Sequence, residues 1–313
     1  MKTEKIKIGI PRSLLYYKYG DLWENFFNEL DCEIVRSPET DTKILERGKA
    51  LIVDESCLSL KIYMGHVDYL INKVDYILIP RIVSLKKKEK LCTNFSALYD
   101  IVNNVFSVEI LGYNIDVEKG ESEKKAFLLM GKRLSKKRKE IMRAYLKAKR
   151  IVKRDLKHKL IKQNILLETS IKKKILLVSH SYNTYDNLIG KVIIRNLEKE
   201  DVDIIYANIF NREDIKAKHK QISEQVYWTY SKELLGSIIH YYEKIDGIIL
   251  LSVFPCGPDS LTNEMCIRKL KKPIINIIVD ELSGETGLQT RIESFVDIVK
   301  KQGGNFLDER RNN

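Results

Sequence analysis

Short apolar runs alternating with amphipathic stretches set the rhythm of this 313-residue chain. Ile6-Lys7-Ile8-Gly9-Ile10 reads as an alternating strand stopped by Pro11. Tyr16, Leu22, Trp23, Phe26, Phe27 and Leu30 then recur at helical spacing. Glu33-Ile34-Val35 predicts a second strand, and Ser37-Pro38-Glu39-Thr40 a loop that caps the next helix. Leu51-Ile52-Val53 is a brief apolar run ahead of Cys57. Leu60, Tyr63, Met64, Val67, Leu70 and Ile71 predict a helix, and Asp75 to Ile79 a buried strand ended by Pro80. A helix near Phe95 to Val105 and a strand near Val108 to Leu111 complete a first α/β domain over residues 1–120.

From Lys124 to about Leu166 the spacing of Ile141, Tyr145, Ala148, Val152 and Leu156 predicts one long helix whose apolar stripe packs on protein. It forms a connecting segment over residues 121–170. A second domain over 171–302 repeats the rhythm. Strands are expected at Lys174–His180, Val202–Ile205, Gly247–Ser252 and Pro273–Asp280. Helices are expected at Asn187–Lys199, Trp228–Tyr242, Leu261–Leu270 and Gly287–Lys300. Alternating strands and helices imply parallel sheets with right-handed crossovers. The fold class is therefore α/β, with two doubly wound, flavodoxin- or Rossmann-like domains joined by a long basic helix. The polar tail over residues 303–313 is expected to be disordered.

Composition narrows the function classes. No apolar run reaches membrane-spanning length, and the first residues lead straight into a strand, which predicts a cytoplasmic protein without membrane association. The net charge of +12 is concentrated: Lys124 to Lys159 holds sixteen Lys or Arg against Glu140 and Asp155. The two domains are thus close to neutral. A nucleic-acid-binding protein acting through this helix is one reading, but the segment has one tyrosine among its charges and no stacking series, which favours a solvated face. Weak attraction of an anionic partner or a nucleotide-bearing thioester is compatible with it. Neither phosphate-cradling glycine motif is present, so nucleotide hydrolysis and ordinary dinucleotide binding lack their signatures.

Five cysteines without close pairing do not make a disulfide scaffold. Cys57 stands at the mouth of a helix, Cys92 follows a lysine run in a loop, and Cys256 follows an apolar strand in Phe254-Pro255-Cys256-Gly257-Pro258-Asp259-Ser260. Each is placed at or beside the end of a predicted strand, where an α/β fold carries ligands. A helix start also favours the thiolate that binds metal. On position alone the three are either ligands of a shared site or unrelated thiols. Cys32 and Cys266 read as small core residues. His180 is either a residue facing a crevice or a turn histidine bonded to backbone, and His66 and His158 read as structural or solvated. Arg12, Lys18 and Arg81 are placed at or after strand ends where anions bind. Glu281 and Glu285 crown the last strand, where they position a substrate hydroxyl, transfer a proton, or cap the next helix.

Gly9-Ile10-Pro11-Arg12, Leu15-Tyr16-Tyr17, Ser37-Pro38-Glu39-Thr40, Asp54-Glu55-Ser56-Cys57, Gly65-His66, Pro80-Arg81, the Cys256 block and Gly284-Glu285-Thr286-Gly287 together resemble the 2-hydroxyacyl-CoA dehydratase-like proteins. The similarity is to the branch associated with, or fused to, the dehydratase activases of anaerobes. The resemblance implies an iron–sulfur cluster, of [4Fe–4S] type, held by Cys57, Cys92 and Cys256. It implies a chain that accepts an electron from an activase or other donor and serves radical dehydration or reductive chemistry, as a dehydratase-type lyase component or an iron–sulfur reductase. His180 and Glu285 would be the catalytic groups, an acyl-CoA the substrate, and a homo- or hetero-oligomer the working form. Two positions depart from the branch: Thr93 stands where proline usually follows the second cysteine, and Leu282 where histidine is usual. The activase's own ATP-binding signature is absent. A non-catalytic scaffold or binding subunit of the same fold is the alternative.

Overall fold

The computed structural model describes residues 4–302, apart from the side chains of Glu285 and Gln302, and divides them into two compact units. The first holds the chain up to Lys157 together with Tyr227–Tyr230; the second holds His158–Val226 and the chain from Ser231 onward. The tail expected to be disordered lies outside the described residues. Among the described residues no helix is long and apolar enough to cross a membrane.

In the first unit β1 (Lys7–Ile10), α1 (Tyr16–Glu29), β2 (Glu33–Arg36), α2 (Thr42–Lys49), α3 (Leu58–Leu70), β3 (Tyr76–Ser84), α4 (Thr93–Val105) and β4 (Ile110–Asp116) follow in order. The sheet is parallel throughout, in the order β2-β1-β3-β4. Its core buries Ile8, Ile10, Leu78 and Ile79 from the strands and Trp23, Phe26 and Phe27 from α1. Leu51–Val53 does not form a strand: it lies in a turn between α2 and α3, with Val53 66% exposed.

The expected end of β3 at Pro80 is corrected, because the strand runs on to Ser84. Backbone N–H groups alternate sides along a strand, and Ile77 donates toward β4, to Glu109 O at 2.9 Å. Pro80 therefore lacks its donor on the opposite side. There β1 pairs only with Tyr76 and Ile77, and no ladder bond is lost.

The long helix expected from Lys124 is two helices, α5 (Glu123–Arg133) and α6 (Arg138–Thr169). Ser135 adopts φ +56°, and Lys136 N–H closes the end of α5 by donating to Gly131 O at 3.0 Å. The turn sets Gly131 against Ile141, whose Cγ1 would lie 2.4 Å from any Cβ placed there. Ile141, Ala144 and Ala148 of α6 are buried, while Leu156 is 40% exposed rather than packed. The basic helix is not a separate body, since the boundary between the units falls within α6 at Lys157.

The second unit repeats the plan. β5 (Lys174–Val178), α7 (Ser181–Thr184), α8 (Gly190–Glu198), β6 (Asp203–Tyr206), α9 (Thr229–Tyr241), β7 (Gly247–Val253), α10 (Gly257–Lys269), β8 (Ile274–Val279) and α11 (Glu285–Gln302) build a parallel sheet in the order β6-β5-β7-β8. All seven residues of β7 are buried, as expected of a central strand covered on both faces. The α/β class with two parallel sheets thus agrees with the alternation in the sequence.

Candidate functional site

Strand order fixes where each sheet opens. In both units the chain leaves neighbouring central strands (β1 and β3, β5 and β7) toward opposite edges, and an α/β sheet accepts ligands at the carboxyl ends of such a pair. The three singled-out cysteines occupy equivalent local positions. Cys57, Cys92 and Cys256 are the N-cap residues of α3, α4 and α10, each of which is 13 residues long. Each thiol is partly exposed at the positive end of a helix. Cys92 and Cys256 follow β3 and β7, as expected. Cys57 follows a turn rather than a strand, yet α3 runs back toward the start of β3, so its first residue also lies at the carboxyl edge.

In the first unit Asn94, in the first turn of α4, donates from Nδ2 to Cys57 Sγ at 3.4 Å. This contact brings the start of α4, with Cys92 two residues earlier, against Cys57. One helical turn beyond Cys57, on the same face of α3, Lys61 is 3% exposed and donates from Nζ to Asp54 O at 2.6 Å. A buried ammonium beside a helix-capping thiol adds to the local positive field that favours thiolate. The Cys92 loop is pinned as well: Leu91 N–H donates to Val83 O at 3.0 Å, and Lys90 exchanges backbone bonds with Tyr227 and Thr229 at 3.1 and 3.0 Å.

Close by in the sequence blocks, His66 is fully buried between Ser37 Oγ (2.8 Å from Nδ1) and Thr40 Oγ1 (3.1 Å from Nε2). Burial first, and the Arg12 charge second, hold the imidazole neutral, lowering its pKa to about 3. Arg12 N–H donates to Ser37 Oγ at 2.7 Å, and its guanidinium pairs with Glu39 at 2.9 Å. The blocks around Arg12, Ser37 and His66 therefore form one structural network at the ends of β1 and β2. Lys18 follows β1 as expected, but Arg81 does not stand past a strand end. Lys18 lies in α1 with Nζ 3.9 Å from the Tyr230 ring centroid, and Arg81 lies within β3, paired with Asp100.

In the second unit His180 and Cys256 follow the two central strands β5 and β7 and are the N-caps of α7 and α10. His180 Nε2 meets Asp259 Oδ1 at 2.8 Å, with both side chains less than a tenth exposed. The ring also stacks on Tyr182, centroids 5.0 Å apart. The face of α10 turned inward is polar: Asp259, Thr262, Asn263 and Cys266 are buried, and Asn263 bonds Asn276 at 3.1 Å. Thus Asn94 and Lys61 in the first unit, and Asp259 in the second, contact or neighbour the residues read from the sequence though none of the three was singled out there. An acidic residue in a first helical turn reads as helix electrostatics, and a lysine in a helix as solvated, so neither carried a signal.

Cys32 and Cys266 are buried, and burial raises the pKa of both, that of Cys266 to about 12. They are core thiols, as expected. Glu285 is the first residue of α11, and its side chain lies outside the described residues. Glu281 sits before the helix in a turn where Asp280 Oδ1 accepts from Leu282 N–H at 2.9 Å. Cys57 and Cys92 belong to the first unit and Cys256 to the second. Among the described residues no three His, Cys, Asp or Glu side chains gather closely enough to hold a metal ion.

Residues 7–210 match the family model described as "CoA enzyme activase uncharacterised domain", which spans more than half of the chain. The chain belongs to this family. No curated protein matches it. Cys57, Cys92 and His180 of this activase-related chain lie within the matched residues, and Cys256 and Glu285 lie beyond them. The likeness read from the sequence blocks is therefore met at the activase-related level.

Proposed function

We propose that this activase-family chain is an iron–sulfur protein that accepts an electron from a partner, an ATP-driven activase, and serves reductive or dehydratase chemistry on an acyl-CoA. Cys57, Cys92 and Cys256 are its cluster ligands. The observation that carries the reading is the shared placement of these three thiols: each is a partly exposed N-cap of a helix, while Cys32 and Cys266 are buried and held as thiols. The donor set suits iron, because a helix start favours thiolate and Asn94 already offers an N–H to the Cys57 sulfur. When bound, a [4Fe–4S] cluster with three protein ligands supplies one-electron transfer and an iron open to water or substrate.

The chain's own residues supply the surroundings. Asp259 orients His180 at the end of β5, which suits that histidine for proton handling beside the Cys256 loop. Glu285 keeps the same assignment from its position at the start of α11. Lys61 and the helix starts of α3 and α4 provide positive potential at Cys57 and Cys92. Anaerobic reconstitution with iron and sulfide tests the proposal. Equal amounts of both retained on the chain, with visible absorption that bleaches under dithionite, support it. A colourless, iron-free protein after reconstitution overturns it.

A further inference from the structure

α6 carries an exposed cationic seam that nothing in the proposed chemistry uses. Lys139, Arg143, Leu146, Arg150, Lys153 and Lys157 follow one another at steps of 4, 3, 4, 3 and 4 residues, and all six are exposed. The pattern holds one face of the helix for about 27 Å at 1.5 Å per residue. The opposite face, Ile141, Ala144 and Ala148, is buried in the first unit. Neighbouring cations off the seam are neutralised within that unit: Lys147 pairs with Glu29 at 2.5 Å and Lys149 with Glu123 at 2.7 Å. The five seam cations take part in no ion pair among the described residues. Leu146 is 50% exposed in their midst.

We propose that this seam docks an acidic helix of a partner protein, laid along α6. Alternating steps of 4 and 3 residues are the heptad spacing that keeps such a seam facing a second helix lying beside it. Charge complementarity sets the composition of the partner face: Glu or Asp opposite the five cations, with an apolar residue against Leu146. A nucleic-acid backbone fits less well. The seam has no aromatic side chain to stack a base, and the nearby Tyr145 is turned away, its hydroxyl donating to Glu123 at 2.8 Å and its ring 4.9 Å from that of Phe127. The docking surface stands whether or not the cysteines hold a cluster.

The test uses the full chain and three probes: a labelled helical peptide with Glu at the matching spacing, a scrambled peptide of identical composition, and duplex DNA. The expected result is matched-peptide binding at least about tenfold tighter than that of the scrambled peptide, given several exposed pairs of modest individual strength. That preference disappears in the combined Arg143→Glu, Arg150→Glu, Lys153→Glu and Lys157→Glu variant, whose fold is checked by circular dichroism. Equal binding of the two peptides, tighter binding of duplex DNA, or survival of the preference in the variant would overturn it. The peptide comparison on the unaltered chain decides the matter even if the variant fails to fold.

Discussion

Burial and the nearby Arg12 charge keep His66 neutral in the folded chain, with Asp41 a weaker opposing influence. The linkage follows from that depressed pKa. Above about 6.5 the ring is neutral folded or unfolded, and its contribution to stability is intact. As the pH falls below that value the unfolded chain takes up a proton that the folded chain refuses, until the folded group itself titrates near 3. The expected slope is at most about 1.4 kcal/mol per pH unit from this group. Urea unfolding between pH 7 and 5 should therefore show a steeper loss in the native chain than in His66→Gln. Parallel slopes would remove His66 as the cause. Asp259 gives a second prediction at this scale. Asp259→Ala leaves a buried imidazole nitrogen without its carboxylate, and unfolding should register about 1–3 kcal/mol of lost stability. Position made His180 visible in the sequence, but its partner lies 79 residues away and is reached only because β5 and β7 are neighbours. Local pattern holds no record of that pairing. The burial of Lys61 was equally hidden, since it depends on how closely another helix approaches.

That approach belongs to the scale of elements. α2 and α3 come together at Gly48 and Gly65: a Cβ on Gly65 would lie 1.9 Å from Ile44 O, and one on Gly48 1.7 Å from Lys61 O. The obstructing atoms are backbone, so no rotamer change relieves them. Gly65→Ala should cost about 3 kcal/mol or more, read as a lower denaturation midpoint with unchanged m-value, because overpacking forces the helices apart. A stability change within a few tenths of a kcal/mol would show that the helices are not held this closely. The helix start at Cys57 was legible and that of α4 was read to within two residues, but α10 was expected from Leu261 and begins at Gly257, directly after Cys256. The break between α5 and α6 was not legible, since neither glycine nor proline marks it and Ser135 takes its positive φ to let Gly131 meet Ile141. Pro80 misled in the other direction. A proline ends a strand only when its missing donor faces a partner, and β1 is too short to be one there.

At the scale of the whole chain, two sheets share one plan: the strand that opens each unit lies second in its sheet, flanked by the strands that follow it. The alternation of apolar runs and amphipathic helices was enough to read the α/β class and its parallel sheets. The connecting segment expected over residues 121–170 contains the boundary between units, but nothing in the sequence marks Lys157, because the basic run continues past it to Lys162. The family match covers residues 7–210, and the cysteine that follows β7 lies outside it. The assignment of three ligands thus rests on the chemistry of the thiols. Iron and acid-labile sulfide, counted per chain after anaerobic reconstitution of the native protein and of Cys57→Ala, Cys256→Ala and Cys266→Ala, test this claim most directly. The account predicts that the native chain and Cys266→Ala retain iron and sulfide in equal amounts, whereas Cys57→Ala and Cys256→Ala retain neither. The same iron content in all four proteins would contradict it.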